Sequence, residues 1–353
     1  MLKLLKTLTD LAGPCGYEQN VSYYIEEYLR NKVDSVSIDR IGNVIAIKKG
    51  DRPGPRILIT SHMDEVGFIV KKIEENGLLR FEKLGGHDDR ILLAKTVNLL
   101  GDKGNISGVI GTMSAHYVKF DDAKKVRSHQ NMYIDIGASS REEAESLGIE
   151  IGTPVTWEPN FKLIGPEEKP KIRSKALDDR AGCTVMIQAL EELNETSFAG
   201  EIVLLFAVQE EVGLRGAKTA SEHIMADAAI AIDTTAVSDT PEETMDRSLM
   251  LGAGTGIKVM DFSLIVPRTM KNLLISLAKS ENIPYQLEVF PGIGTDGGAV
   301  NYANRGIPTG VLSIPSRYAH SPAEVIDLSD LEATKDLLKA FILIMEENQS
   351  FSF

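Results

Sequence analysis

The second half of the chain alternates continuous apolar segments with amphipathic ones, and this alternation constrains the fold more than any other feature. From residue 165 onward, runs such as "EIVLLFA" and "AAIAID" alternate with segments such as "RAGCTVMIQALEEL". Apolar strands without polar alternation are buried on both faces, and the helices between them connect parallel strands. The pattern predicts an α/β fold with a mostly parallel, mixed sheet flanked by helices.

A different pattern interrupts this alternation between residues 67 and 164. Short strand-like pieces such as "GFIVKKIE", "LLRFEKL" and "ISGVIGTM" are separated there by Gly, Asn and Asp. Such pieces between turn residues are typical of a small, β-rich unit. We therefore expect residues 1–66 and 165–353 to form a catalytic α/β domain. Residues 67–164 would form an inserted, β-barrel-like domain.

Charge and cysteine content exclude several classes of partner and compartment. The formal net charge of -13 argues against nucleic acid or an anionic membrane as a partner, because both require a basic surface. No apolar run of the sequence approaches the ~18 residues of a membrane span. The two cysteines, Cys15 and Cys183, lie far apart without C-x-x-C spacing, which favours a reducing cytoplasm and offers no cysteine metal site.

Residues of metal-ligand type follow four of the predicted apolar strands. Ligands of open α/β sheets bind beyond the carboxyl ends of the strands, so these residues are expected to share one edge. Another candidate precedes the helix that begins near Arg180. Each of these residues alone could be a turn residue or a helix cap, but their common position favours a metal site. The five candidates are His62, Asp178, Glu211, Asp233 and His320.

These groups suit two divalent metal ions, with Zn, Co or Mn as candidates. Asp178 is expected to bridge both ions, while each ion takes one histidine and one terminal carboxylate. Two dications carry +4, which the carboxylates of Asp178, Glu211 and Asp233 and one bridging hydroxide would neutralise.

The adjacent glutamates Glu210 and Glu211 are expected to have different roles. Val212 and Gly213 start a turn that allows both side chains to approach one site. Glu211 would bind metal, while Glu210 would act as the general base for the bridging hydroxide. Asp64, two residues after His62, is placed to accept the second ring N–H of that histidine.

Five motifs occur in the order of a known family. "SHMDEVGFIV", "KALDDRAG", "VQEEVGLRGA", "AIDTT" and "IPSRYAHSPAEV" resemble the motifs of the tetrahedral aminopeptidases, dinuclear metallopeptidases related to glutamyl and deblocking aminopeptidases. The resemblance implies the ligands and the base named above, with Asp64 behind His62. It also implies a cis peptide bond between Asp178 and Asp179.

The same resemblance implies what the protein acts on and how it assembles. It implies hydrolysis of N-terminal residues from peptides, and a homo-oligomer, a hollow dodecamer that the inserted domain builds. Some relatives carry the label endoglucanase. Two positions depart from the usual pattern, because Cys15 stands where Ser is more common and His87 where an aromatic residue is expected.

Two further interpretations depend on less specific signals. A glycoside hydrolase of the endoglucanase type is the alternative function, since it also uses paired carboxylates, but it gives His62 and His320 no role. The loop "GIGTDG" matches a dinucleotide fingerprint but lacks an acidic residue ~20 positions further on. It is better interpreted as a substrate loop with Thr295 and Asp296, and His87 could reach the substrate from the inserted domain.

Overall fold

The strands of the described residues form one eleven-stranded mixed sheet and one closed six-stranded barrel. The computed structural model describes residues 1–117, 125–193, 196–347 and 351. The chain first forms three strands of the large sheet, then the whole barrel, and then returns to the large sheet. The predicted α/β class with an inserted small barrel is confirmed.

The described residues form seventeen strands. The first three belong to the large sheet: β1 (Ser35–Ile38), β2 (Val44–Lys49) and β3 (Arg52–His62). The next six form the barrel: β4 (Gly67–Ile73), β5 (Leu79–Leu84), β6 (Thr96–Gly101), β7 (Gly104–Ile110), β8 (Ile134–Asp135) and β9 (Pro154–Trp157). The remaining strands complete the large sheet: β10 (Lys162–Ile164), β11 (Lys171–Ser174), β12 (Ala199–Ala207), β13 (Ala228–Ala236), β14 (Thr255–Asp261), β15 (Tyr285–Phe290), β16 (Thr309–Arg317) and β17 (Glu324–Asp327).

Eight α-helices and three short 3₁₀ turns lie in the same residues. The helices are α1 (Leu2–Asp10), α2 (Gln19–Leu29), α3 (Arg141–Ser146), α4 (Leu177–Leu193), α5 (Arg215–Ser221), α6 (Arg268–Ser280), α7 (Asp296–Tyr302) and α8 (Leu328–Leu343). The 3₁₀ turns are Asp89–Ile91, His129–Asn131 and Ala303–Arg305. In the part of the chain that the structure describes, no helix is both long and apolar enough to cross a membrane.

Parallel pairing is concentrated at the centre of the large sheet. Strands β12, β3, β13 and β16 are neighbours in that order, and all three of their pairings are parallel. The strands on either side of these four are antiparallel to them, because β2 pairs with β12 and β17 pairs with β16 in opposite directions. Strands β14 and β15 pair in parallel with each other off this path. The carboxyl ends of the four central strands therefore meet at one edge of the sheet.

Helices cover both faces of the large sheet, as the continuous apolar strands require. On β3, Ile57 and Ile59 belong to the core beneath α1, α4, α6 and α8, whereas Leu58 belongs to the core beneath α5 and α7. The alternation follows from the two-residue repeat of a strand. All three side chains are almost completely buried.

The barrel has a hydrophobic core of its own. The ring of Phe68 packs edge-on against Phe81 and Trp157, with centroid distances of 5.1 and 5.0 Å. Strand β10, at residues 162–164, pairs with β11 in the large sheet. Residues 118–124 of the predicted insert lie outside the described residues, and the domain boundaries proposed from the sequence stay a prediction.

Candidate active site

The central strands bring the five predicted metal ligands to one edge of the sheet. His62 is the last residue of β3, Asp233 lies in β13, and Glu211 and His320 follow β12 and β16. Asp178 lies at the start of α4, which packs against β3 and β13. These five side chains therefore lie near one another, as we expected from the sequence.

The five side chains form two groups of three that share Asp178. His62, Asp178 and Asp233 form one group, and Asp178, Glu211 and His320 form the other. Within each group the possible ligand atoms lie within 4.8 Å of one another. The two carboxylate oxygens of Asp178 face different histidines. Its Oδ1 is 3.2 Å from Nε2 of His62, and its Oδ2 is 3.5 Å from Nε2 of His320.

The terminal carboxylates lie on opposite sides of Asp178. Oδ1 of Asp233 is 3.7 Å from Nε2 of His62, and Oε1 of Glu211 is 3.1 Å from Nε2 of His320. Glu210 also lies beside the cluster, since one of its carboxylate oxygens is within 4.8 Å of ligand atoms of His62 and Glu211. The side chains of both adjacent glutamates therefore face the same cluster.

The backbone at Asp178 is not helical, although the residue lies at the start of α4. Asp178 and Asp179 have ψ angles of 107° and 39°, and the helix is regular only from Arg180. The peptide bond between Asp178 and Asp179 is cis, as the sequence resemblance implied. Asp179 turns away from the cluster, and its Oδ1 accepts the backbone N–H of Gly182 at 3.0 Å.

Asp64 holds three groups of the site. Its Oδ1 lies 3.4 Å from Nδ1 of His62. Its two oxygens also accept the backbone N–H groups of Glu210 and Glu211, at 2.9 and 3.1 Å. The carboxylate is completely buried. It therefore orients one histidine and fixes the turn that carries both glutamates.

Glu324 is a site residue that the sequence analysis missed. Its Oε2 accepts the backbone N–H of Asp178 at 3.0 Å, and its Oε1 accepts that of His320 at 2.9 Å. Burial and the nearby charge of Asp178 raise the pKa of this carboxyl to about 8. A carboxylate in the apolar strand β17, "EVID", is the signal that could have identified it.

The inserted barrel contributes a hydrogen bond to the site. Nδ1 of His320 donates to the carbonyl oxygen of Gly86, which follows β5, at 2.9 Å. This bond keeps a proton on Nδ1 and directs Nε2 toward Asp178 and Glu211. The barrel therefore helps to position a side chain of the α/β body.

The buried charges of the cluster favour bound cations. Burial raises the pKa of Glu210 well above its usual range, and it also raises that of Glu211 and that of Asp233. For Asp178 burial acts in the same direction, but hydrogen bonds from His320 and His62 hold its pKa well below its usual range. Carboxylates buried this close together keep their negative charges only where positive charge lies beside them.

The predicted substrate residues lie close to this site, but the described residues that line the cleft do not include them. Thr295 is buried, and its hydroxyl donates to Oδ2 of Asp261 at 3.2 Å. Asp296 is also buried, and burial raises its pKa to about 8. The ring of His87 packs against Phe68 with a centroid distance of 4.5 Å, and burial lowers its pKa to about 3. Their role in substrate binding stays a prediction.

A cleft of about 510 Å³ opens over the cluster. The two histidines, Asp178, Asp233 and both adjacent glutamates line one part of it. The rest includes the residues after Asp233, the turn at Phe262, the glycine-rich loop around Ile293, and also Gly213, Leu214 and Ala319. The cleft is therefore open to a substrate directly above the candidate metal groups.

A central parallel sheet, an edge cluster of histidines and carboxylates and a cleft above it are the features of an enzyme active site in an α/β fold. Residues 42–337 match the M42 glutamyl aminopeptidase family, and the chain belongs to this family. It is an aminopeptidase. The family resemblance inferred from the sequence motifs is confirmed.

Relatives of known name support this assignment over nearly the whole chain. The lysyl aminopeptidase of Pyrococcus furiosus is 34% identical, and the alignment covers 99% of this chain and 98% of the relative. The structure of an aminopeptidase from Desulfurococcus kamchatkensis is 39% identical, with a TM-score of 0.90 and coverage of 97% and 94%.

Two other solved structures bear on assembly and on the alternative function. The TET1 peptidase of Pyrococcus horikoshii, described as assembling into a tetrahedron or a large octahedral shell, is 34% identical. Its TM-score is 0.87, with 97% of this chain and 99% of that chain covered. A protein from Thermotoga maritima named an endoglucanase is 33% identical, with a TM-score of 0.77 and 96% of each chain covered. The expectation that some relatives carry this label is confirmed.

Proposed function

We propose that the chain is a dinuclear, metal-dependent aminopeptidase. One ion would be held by His62, Asp178 and Asp233, and the other by Asp178, Glu211 and His320. The observation that carries this proposal is the pair of three-residue groups that share the carboxylate of Asp178. Each group offers a histidine nitrogen and carboxylate oxygens, which are the donors that Zn, Co or Mn accept.

The buried donor atoms support the fit of these residues to metal ions. Oε1 of Glu211 is buried and makes no hydrogen bond of good geometry among the described residues; the atom facing it is Nε2 of His320, 3.1 Å away, which is itself a proposed ligand. A metal ion would give both atoms a strong partner. Both histidines also present Nε2 to the cluster, because their Nδ1 atoms face Asp64 and the carbonyl of Gly86.

Divalent ions held by these residues would supply Lewis-acid chemistry, which activates water near neutral pH and polarises the scissile carbonyl. Glu210 would accept the proton of the attacking water, and the position of its carboxylate beside the ligand groups supports this role. The same carboxyl, now protonated, then donates to the amine that leaves when the peptide C–N bond breaks. Asp64 keeps Glu210 in place through the backbone N–H of that residue.

A substrate panel tests the proposed reaction directly. A dipeptide with a free amine should be cleaved, cleavage should stop with a chelator, and it should return when Zn, Co or Mn is added. The same peptide with an acetylated amine should remain intact, since an aminopeptidase requires a free N-terminus. Chelator-resistant turnover of the free dipeptide would contradict the metal-dependent mechanism.

A glycoside hydrolase is the second candidate, because the Thermotoga relative carries the name endoglucanase. Such enzymes work with two carboxyl groups and need no metal. That mechanism leaves the buried His62 and the ring of His320 without a function. A soluble cellulose, added to the same panel, should remain uncut, and chelator-resistant cleavage of it would favour this candidate.

We also propose that the chain assembles into a dodecamer and that residues 67–164 act as an assembly domain. Large apolar side chains on and beside the barrel are exposed, among them Ile151 at 65% and Tyr117 at 63%. The structural relative described as assembling into a tetrahedron or a large octahedral shell supports the same proposal. Light scattering should give a particle of about twelve times the chain mass of 38.6 kDa. A monomer at micromolar concentration would contradict the proposal.

The cytoplasm is the compartment we propose. Cys15 and Cys183 are both buried and form no disulfide. Free thiols are the ordinary state of cysteine in a reducing compartment.

A further inference from the structure

Part of the cleft wall carries no charge. All charged side chains that line the cleft belong to the proposed ligands or to Glu210. The rest of the lining is uncharged over the residues that the structure describes. It includes Leu214, Thr235, Ala236, Phe262, Ser263 and Ile293, and we call this set the uncharged wall.

The polar groups of the uncharged wall already have partners inside the protein. The hydroxyl of Thr235 donates to Oε1 of Glu288. The hydroxyl of Ser263 donates to Oδ1 of Asp261 at 2.9 Å. These hydroxyl protons are therefore not free for a substrate, and the wall offers mainly methyl groups, methylenes and the ring of Phe262.

The charges behind the wall face each other rather than the cleft. Lys258, Glu288 and Asp261 are buried, and Nζ of Lys258 lies 3.2 Å from Oε1 of Glu288 and 3.9 Å from Oδ2 of Asp261. None of the three residues lines the cleft. A charged side chain of a substrate would therefore leave water without meeting an opposite charge.

The wall is held together by backbone contacts, so it forms one surface. The backbone N–H of Phe262 donates to the carbonyl oxygen of Ile293 at 2.8 Å. Thr235 follows Asp233 by two residues, which places the surface beside the proposed ligands. The side chain of Phe262 is 80% exposed and forms the rim.

We propose that the uncharged wall receives the side chain of the substrate's N-terminal residue, and that the chain prefers apolar residues such as leucine over glutamate and lysine. The proposal rests on the proposed function, because the position of the metal centre decides which wall the first side chain meets. An apolar side chain gains free energy when it leaves water for this wall. A carboxylate or an ammonium group loses its hydration without a new partner.

The preference is measured with aminoacyl chromogenic substrates on the metal-loaded protein. We expect kcat/KM for the leucine substrate to exceed those for the glutamate and lysine substrates at least about 10-fold. The alanine substrate should also be poorer, since it buries less apolar surface. A glutamate or lysine substrate that equals or exceeds leucine would overturn the preference and leave the aminopeptidase activity intact. No cleavage of any of the substrates would overturn the proposed function and this inference with it.

Substitutions in the uncharged wall test whether it contacts the side chain of the substrate's N-terminal residue. Ile293→Asp should lower kcat/KM for leucine about 10-fold or more and raise the ratio of lysine to leucine cleavage. Phe262→Asp, at an exposed position that tolerates a polar residue, should change the ratio in the same direction. Ile265→Asp is the matched control, because Ile265 is 72% exposed and does not line the cleft. Circular dichroism and particle size confirm that each variant is folded. An unchanged ratio in both wall variants would overturn the assignment.

Discussion

Replacing Glu210 with glutamine is expected to lower kcat/KM by roughly 10²–10⁴-fold while the metal content of the protein stays unchanged. Glutamine keeps the shape of the side chain but has no carboxylate to accept the proton of the attacking water. The backbone N–H of this residue would still donate to Asp64, so the turn should keep its conformation. Steady-state kinetics and elemental analysis of the same preparation measure the two effects.

Glu211→Gln is the matched control, since the same substitution falls on the next residue of the same turn. It should weaken one metal site, because it removes the charged oxygen that faces His320. Added metal should therefore restore part of the activity of Glu211→Gln and none of the activity of Glu210→Gln. Metal loss in Glu210→Gln with full retention in Glu211→Gln would show that the two roles are reversed.

Asp178→Asn should have the largest effect on metal binding of any single substitution in the cluster. Its two oxygens face His62 and His320 separately, so one substitution affects both proposed sites. The loss of affinity should exceed the ~10–100-fold that the loss of a supporting hydrogen bond costs at a metal site. Competition with a chromogenic chelator measures this affinity, and activity should fall with it.

Glu324→Gln is the variant whose loss of metal affinity we compare with that of Asp178→Asn. Glu324 touches no proposed metal directly but accepts the backbone N–H groups of Asp178 and His320. Its loss should cost ~10–100-fold in metal affinity, less than the loss of Asp178. If Asp178→Asn bound both ions with the affinity of the unmodified protein, Asp178 would not be a ligand shared by the two ions.

The sequence predicted the position of the candidate site because the topology of a parallel sheet determines where strand ends meet. His62, Asp233 and His320 could be placed at one edge as soon as the apolar strands before them were recognised. Strand direction at the margins could not be predicted in the same way. Strands β2 and β17 are short, and their residues give no signal that distinguishes parallel from antiparallel pairing.

Contacts through the backbone were not predictable from residue types. Glu324 holds two ligands by their N–H groups, and a sequence motif does not show which backbone group a carboxylate will meet. Thr295 was expected to line a loop that approaches the substrate, and this role stays a prediction. In the fold its hydroxyl donates to Asp261, a contact that the sequence did not indicate. A polar side chain in a loop has the same sequence signature whether it faces solvent or a buried acceptor.

The hydrogen bond from His320 to the carbonyl of Gly86 restricts how the barrel can diverge between relatives. Insertions and surface changes are tolerated in most loops. The position of a backbone carbonyl, however, depends on the backbone conformation of the whole loop. A side chain on residue 86 would also crowd the ring, since a Cβ there would lie 3.2 Å from Nδ1 of His320. In a chimera that carries the barrel of a relative, the carbonyl oxygen at position 86 would therefore have to lie at the same place for His320 to keep its orientation.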